Sequence, residues 1–211
     1  MPFNGDYRDM VSNREVLEVG SPGFGGESVE GNNAYAGAEG SYLQLPSDGL
    51  LSEEFSTTFW YKVNADPDRA GIIVIGPEDE ENPDAQNNRI SGFRLFREGS
   101  ADEQRIKANV GNGSADSWND GGVIDVAAGE WVHVALVITD SESHIYLDGE
   151  LVNTGDVPGG VDWTGTDIVS IMSGAPRFTG WNHLADRSYM DNLRFYNKAL
   201  TAEDVEAAME E

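Results

Sequence analysis

The chain has no cysteine. Disulfides and cysteine-ligated metals are therefore excluded, and the redox compartment stays open. Positive charge is scarce: 13 Lys and Arg stand against 38 Asp and Glu, a net charge of −25 over 211 residues. Such a surface repels nucleic acid and anionic membranes and favours solubility and cation capture. No apolar run reaches the roughly 18 residues of a membrane span, so no membrane insertion is expected. The opening "MPFNGDYRDM" has neither the basic nor the apolar region of an export signal, which fits a cytosolic protein or a mature domain whose signal is gone. A P-loop, a nucleophile elbow and a zinc-binding histidine pair are also missing.

What is present reads as β-structure. Glu15–Val19, Ser41–Leu45, Phe55–Val63, Gly71–Ile75, Gly92–Phe96, Arg105–Val110, Trp131–Thr139, His144–Leu147 and Ile168–Met172 are short and rich in β-branched and aromatic residues. Gly, Asn, Asp and Pro clusters bound them. Asp148-Gly149 between apolar runs predicts a two-residue hairpin with a type I′ turn. Many short strands with Gly-rich turns predict an all-β sandwich or jelly roll. Only the C-terminus is helical in pattern, with Thr201 as N-cap, Glu203 and Asp204 in the first turn, and Leu200, Val205 and Met209 as the packing stripe. The polar stretch Gly76–Gly92 has five acids and no core residue. It reads as a mobile loop, with a calcium site as the sharper alternative. With no repeat and no linker, the whole of 1–211 reads as one domain.

The last strand, within "SYMDNLRFYNKAL", raises a question. Strict alternation puts Tyr189, Asp191, Leu193 and Phe195 on one face. A carboxylate among apolar neighbours needs a cation, a cluster of donors or water.

"SYLQLPSDGLLSEEFSTTFWYKV", "GEWVHVALVIT", "IYLDGELV" and "MDNLRFYNKALTAEDV" follow one another over residues 41–205. In this order they resemble the laminin G-like jelly rolls of the concanavalin A-like lectin/glucanase superfamily. The resemblance implies two antiparallel sheets packed face to face and a structural calcium ion near the meeting of the chain ends. It implies Asp191 as a calcium ligand, in company with Asn4, Asp6, Asp9 and carbonyls of the Gly31–Asn32 turn. The alternative is that Asp191 accepts hydrogen bonds from a turn or pairs with Arg187. Enzymes of this superfamily carry E-x-D-x-x-E or paired Gln-x-His and Tyr-x-Lys strands, and neither is found here.

Sugar sites combine an aromatic plate with planar polar groups. Ser173–Ser188 offers Arg177, Phe178, Trp181, Asn182 and His183, and Asn112–Gly122 offers Trp118 with Asn119 and Asp120. The candidate ligand-binding residues are therefore Trp181, Asn182, His183, Arg177 and Trp118. Against this, Trp181 and Phe178 could fold back as a small core under the loop. His133, Trp60 and Trp131 read as core, and His144 as surface. The expectation is a non-catalytic, calcium-stabilised glycan-binding module of a secreted or cell-surface bacterial system. The alternatives are a protein-binding adhesion or scaffolding domain and a glycoside hydrolase with an atypical site.

Overall fold

The computed structural model describes residues 1–210. Its first strands are β1 (Leu17–Val19), β2 (Gly23–Gly25), β3 (Ala34–Ala36), β4 (Tyr42–Pro46) and β5 (Phe55–Lys62). Then come β6 (Arg69–Ile75), β7 (Ser91–Gly99), β8 (Glu103–Asn112), β9 (Asp116–Asp125) and β10 (Val132–Ile138). β11 (Glu142–Leu147), β12 (Glu150–Asp156), β13 (Ile168–Ile171), β14 (Tyr189–Tyr196) and the helix α1 (Ala202–Ala208) complete the chain.

Two seven-stranded antiparallel sheets result. The first runs β1-β4-β13-β6-β7-β8-β9 and the second β12-β11-β10-β5-β14-β3-β2. Alternation builds the core between them. Phe55, Phe59 and Tyr61 of β5 and Val134, Leu136 and Ile138 of β10 face Ile73, Ile75, Phe93, Leu95, Ile106, Ala108 and Val110 of the first sheet. Each buried side chain of this size contributes about 1.5–3 kcal/mol. The expected sandwich is therefore what the strands form.

Local signals hold where expected. Asp148 and Gly149 both have positive φ, 49° and 79°, as a type I′ turn requires, and they join β11 to β12. Thr201 caps α1 in a capping box: its hydroxyl accepts from the Asp204 amide while the Asp204 carboxylate accepts from the Thr201 amide. Leu200 and Val205 pack on Ala135, Val137 and Tyr146, covering part of the second sheet's outer face.

Strict alternation fails in β14. Between Asp191 and Arg194 the register against β5 slips, so β14 has two residues where β5 has one. Asn192 takes φ of 49°, a left-handed conformation that Asn tolerates. The bulge inverts the parity. Met190, Leu193 and Phe195 face the core or pack against it, while Asp191 lies opposite Trp60 on the outer face. Asp191 thus does not share a face with Leu193 and Phe195.

Two other expectations are corrected. Trp60 and Trp131 are half-buried on the outer side of the second sheet: Trp60 packs edge-on against His133, and Trp131 lies against Tyr189. The 76–92 loop is not without an anchor. Gln86 is buried, and its side chain accepts from the Asp79 amide (2.7 Å) and donates to the Asp79 carbonyl (3.0 Å).

Candidate functional site

Trp118 sits on β9, a strand hidden by its Gly, Asn and Asp content. It lies opposite Asn109 of β8, on the outer face of the first sheet. The 173–188 loop folds over that face. Phe178 is fully buried against Val74 and Phe96, and His183 stacks on Phe178 with centroids 5.1 Å apart. Trp181 packs edge-on against Phe178 (5.5 Å) and is half-buried. The small-core reading therefore holds for Phe178, and Trp181 forms its outer rim.

The backbone explains how Trp181 is presented. The amides of Thr179 and Gly180 both donate to the Gln86 carbonyl, at 2.8 and 3.0 Å, which docks this loop on the 76–92 loop. A Cβ on Gly180 would stand 2.9 Å from the Ala85 carbonyl oxygen, so the close approach requires glycine. The result brings two distant tryptophans together. Trp118 and Trp181 lie nearly parallel, 10° between planes and 5.6 Å between centroids. Trp118 is 40% exposed. The Arg89 guanidinium lies 4.5 Å from the Trp181 ring centre and pairs with Asp116 at 3.0 Å.

The other expected residues divide. Asn182 is exposed beside Trp181, with φ of 61° and its amide bonded to the Thr179 carbonyl. His183 is only 1% exposed, so its ring lies beneath the surface instead of facing ligand. Burial pulls its pKa down to about 4, although Glu98, 3.3 Å from Nε2, favours the cation. His183 is therefore neutral at pH 7, and its Nδ1 has no partner among the described residues. Arg177 is also withdrawn. Its Nη2 donates to both Asp167 carboxylate oxygens, at 2.8 and 2.9 Å, and its Nη1 reaches Glu78 at 3.2 Å, which ties the loop to the rest of the fold.

The expected metal ligands also divide. Asp191 Oδ2 accepts from the amides of Val29 (2.9 Å) and Glu30 (3.1 Å), and Oδ1 accepts from Asn192 (2.9 Å). Burial still raises its pKa, because the amides only partly replace water. Asn4 Oδ1 accepts from the Asn32 amide at 2.9 Å. Asp191 and Asn4 thus clasp one turn, 29–32, from two sides. Arg187 pairs with Asp66 and Glu39 instead of Asp191. Asp6 and Asp9 stand apart: Asp6 accepts from the Arg8 amide, and Asp9 closes its own loop through Val11, Ser12 and Arg14. No group of three or more His, Cys, Asp or Glu able to hold a metal occurs among the described residues. Oxygens from Asn and backbone carbonyls would have to complete any calcium shell.

Sequence reasoning missed Arg89, Asp116, Glu98, Lys107 and Arg105. One signal was readable: Arg105, Lys107 and Asn109 alternate with Ile106, Ala108 and Val110, which sets three polar side chains on one face of β8.

A laminin G family model, described as concanavalin A-like lectin/glucanases superfamily, matches residues 37–206. The chain belongs to this superfamily. Solved structures superpose on it over nearly its whole length. The receptor binding domain of botulinum neurotoxin D is 14% identical with a TM-score of 0.66, covering 95% of this chain and 48% of that one. The binding domain of botulinum neurotoxin DC in complex with SialylT is 13% identical with a TM-score of 0.64, covering 96% and 47%. Domain 4 of AbnA, a GH43 extracellular arabinanase from Geobacillus stearothermophilus, in complex with arabinotriose, is 18% identical with a TM-score of 0.60, covering 98% and 94%. The chain spans about half the length of the neurotoxin domains and nearly all of the arabinanase domain. At these identities the likeness is one of fold. No helix among the described residues is long and apolar enough to cross a membrane.

Proposed function

We propose that this laminin G-like jelly roll is a non-catalytic glycan-binding module, with Trp118 and Trp181 as its aromatic surface and Asn182 at its edge. The observation that carries the reading is the near-parallel tryptophan pair, rigidly backed and partly exposed, on the outer face of one sheet. A flat ring held in place stacks on the apolar face of a sugar at little entropic cost. The sugars named with the similar structures, SialylT and arabinotriose, support carbohydrate as the ligand class.

The test is a glycan array and calorimetry on the whole chain, with arabinotriose and neutral polysaccharides included. Trp118→Ala should weaken binding about tenfold or more, for a loss on the order of 1–3 kcal/mol, measured at a temperature where the melting curve shows the variant folded. Equal affinity of the variant for a confirmed glycan would remove the pair from the site. Reducing-sugar release from any bound polysaccharide, lost on replacing one acid, would overturn the non-catalytic part.

Structural calcium belongs to the same proposal. Asp191, Asn4 and carbonyls of the Gly31–Asn32 turn would supply its oxygen donors, Asp191 and Asn4 giving up amide hydrogen bonds to do so, and the ion would lock the N-terminal segment to β14. Metal-stripped protein should melt lower, and Asp191→Ala should erase the difference made by calcium. Identical melting with calcium and with chelator would exclude the ion. We further place the module in a secreted or cell-surface bacterial system, on its family resemblance and its acidic, cysteine-free composition. Recovery of the native protein only from cytosolic fractions would contradict that placement.

A further inference from the structure

On the outer face of the first sheet, beyond the tryptophan pair, lies a shallow groove of about 560 Å³. Arg69, Arg105 and Lys107 line it, together with Glu98 and Glu103. Cations are rare in this chain, 13 against 38 acids, so three in one groove, beside two lining acids, is a local concentration of them. The contrast with the neighbouring cavity is direct: Glu78, Asp79, Glu80, Glu81 and Asp116 line that one, with Arg89 as its single cation.

The groove's own carboxylates do not use up this charge. Glu98 is shared between Lys107 (3.1 Å) and the buried His183 (3.3 Å). Lys107 also reaches Asp120 at 3.3 Å. Arg69, itself half-buried, pairs with its exposed chain neighbour Asp68, a contact of little strength. Arg105 has no carboxylate partner among the described residues; it donates only to the carbonyls of Asp120 and Gly121, at 3.1 and 3.4 Å. Its side chain is exposed, so a planar set of donors faces solvent in the groove. Glu103 is the opposing charge, without a paired cation among the described residues.

Position links the groove to the aromatic surface. Arg105, Lys107 and Asn109 share the outer face of β8 at two-residue spacing, and Asn109 lies opposite Trp118. Arg105 is therefore about 14 Å along the strand from the tryptophan register, at roughly 3.4 Å per residue. Charges beyond about 8 Å are screened at physiological ionic strength. An anion in the groove would thus feel its lining more than the net −25 of the chain, whereas a densely charged polymer would be repelled by the rest of the surface.

We propose that this groove receives an anionic substituent, a carboxylate or a sulfate, of a sparsely charged glycan whose neutral part lies against Trp118. Arg105 is its principal donor, and Lys107 and Arg69 flank it. The proposal rests on the glycan-binding reading above.

The experiment is an array of matched neutral, uronate-bearing and sulfated oligosaccharides, followed by calorimetry of the best binders at low and high salt. Substituted members should outbind their neutral counterparts. Arg105→Ala should weaken them about tenfold or more, as loss of a charged hydrogen bond does, and leave neutral members unchanged. Arg105→Lys should restore part of the loss, and Trp118→Ala should weaken both classes. Added salt should weaken only the substituted class. The uronate and sulfate arms decide which anion is taken. Melting curves of both arginine variants, expected to match wild type because the side chain is exposed, keep binding separate from folding. If neutral glycans bind through Trp118 as tightly as the charged ones and Arg105→Ala changes nothing, the groove proposal falls and the glycan reading stands. If no glycan of any class binds, both fall.

Discussion

Two arginines three residues apart on β7, Arg94 and Arg97, are both fully buried, yet their surroundings differ. Arg97 points between the sheets. Its Nη2 meets Asp186 at 2.9 Å, its Nη1 meets the Pro67 carbonyl (2.8 Å) and Gln104 (2.7 Å), and its Nε meets the Tyr61 hydroxyl (3.0 Å). Tyr61 donates to Asp186, which also accepts from the Ser188 amide and hydroxyl. Arg94 faces outward, under the two loops that carry the tryptophan surface. It donates to the Ser91 and Asn88 carbonyls, but among the described residues it pairs with no carboxylate and its Nε has no partner. Burial, with the nearby Arg89 cation adding to it, takes its pKa down to about 9. Asn109 Oδ1, Asn87 Oδ1 and His183 Nδ1 are unpartnered as well, all in this outer layer. A saturated buried network specifies one arrangement, whereas an unsaturated one leaves polar capacity near the surface. The inner network joins a residue of each sheet to the start of β14; the outer layer supports the candidate site.

The largest expected effect breaks the inner network. Asp186→Ala leaves the Arg97 cation buried and uncompensated, which costs about 3–5 kcal/mol. For a chain of this size that lowers the melting temperature by roughly 10 °C. Thermal melting checks it, and a fall of only a degree or two would show that Gln104 and the Pro67 carbonyl suffice for Arg97.

A pH titration of stability comes next. Burial brings His133 and His183 down to about 4, with Arg194 adding to the shift in His133. Their unfolded values are near 6.5, so the unfolded chain binds these protons first. Their stability contribution is complete above about pH 6.5 and is lost as pH falls toward 4. Each site is worth on the order of 3 kcal/mol across that window. Denaturant unfolding between pH 4.5 and 7.5 should show the slope, and His183→Gln should remove about half of it. An unchanged slope in the variant would mean that carboxylates alone produce it.

Arg94→Met sharpens the contrast from the other side. It frees two carbonyls but removes a charge that no carboxylate balances. The expected loss is about 1–3 kcal/mol, smaller than for Asp186→Ala. A loss equal to or above that of Asp186→Ala, measured by the same denaturant curves, would erase the distinction between the two arginines.

The sandwich was legible from the sequence because period-two burial, the Asp148-Gly149 turn and the Thr201 cap are local signals. The exceptions come from residues whose conformation is set by tertiary contacts. Asn192 turns left-handed within a strand and so moves Asp191 to the other face, which no alternation rule reveals. β9 carries two glycines and alternates polar residues because its outer face is exposed, so it lacks the apolar run of a strand. At the site, the aromatic chemistry of Trp118 and Trp181 and a shared region for the two are readable, but their near-parallel contact is not, since they are far apart in sequence. The reading of His183 and Arg177 as surface donors failed for one reason. Glu98 and Asp167, which hold them, lie on or beside other strands.

The smallest expected effect concerns the tryptophan pair itself. Trp118 is 40% exposed, so its truncation removes contacts with Phe96 as well as exposed ring. Trp181 leans on Phe178, and its loss reaches into the small outer core. A double-mutant cycle separates the rings' mutual contact from these backgrounds, because only the coupling energy reports the pair. Near-parallel rings at 5.6 Å should couple by about 0.5–1.5 kcal/mol. Arg89 lies over both rings, at 4.5 Å from Trp181 and 5.8 Å from Trp118, so part of that coupling runs through its guanidinium. Repeating the cycle in an Arg89→Ala background should therefore reduce the coupling without abolishing it. Zero coupling in the wild-type background would mean that the rings are neighbours held by separate supports. The aromatic surface would then be two independent plates, and a ligand's loss on Trp118→Ala and on Trp181→Ala should add.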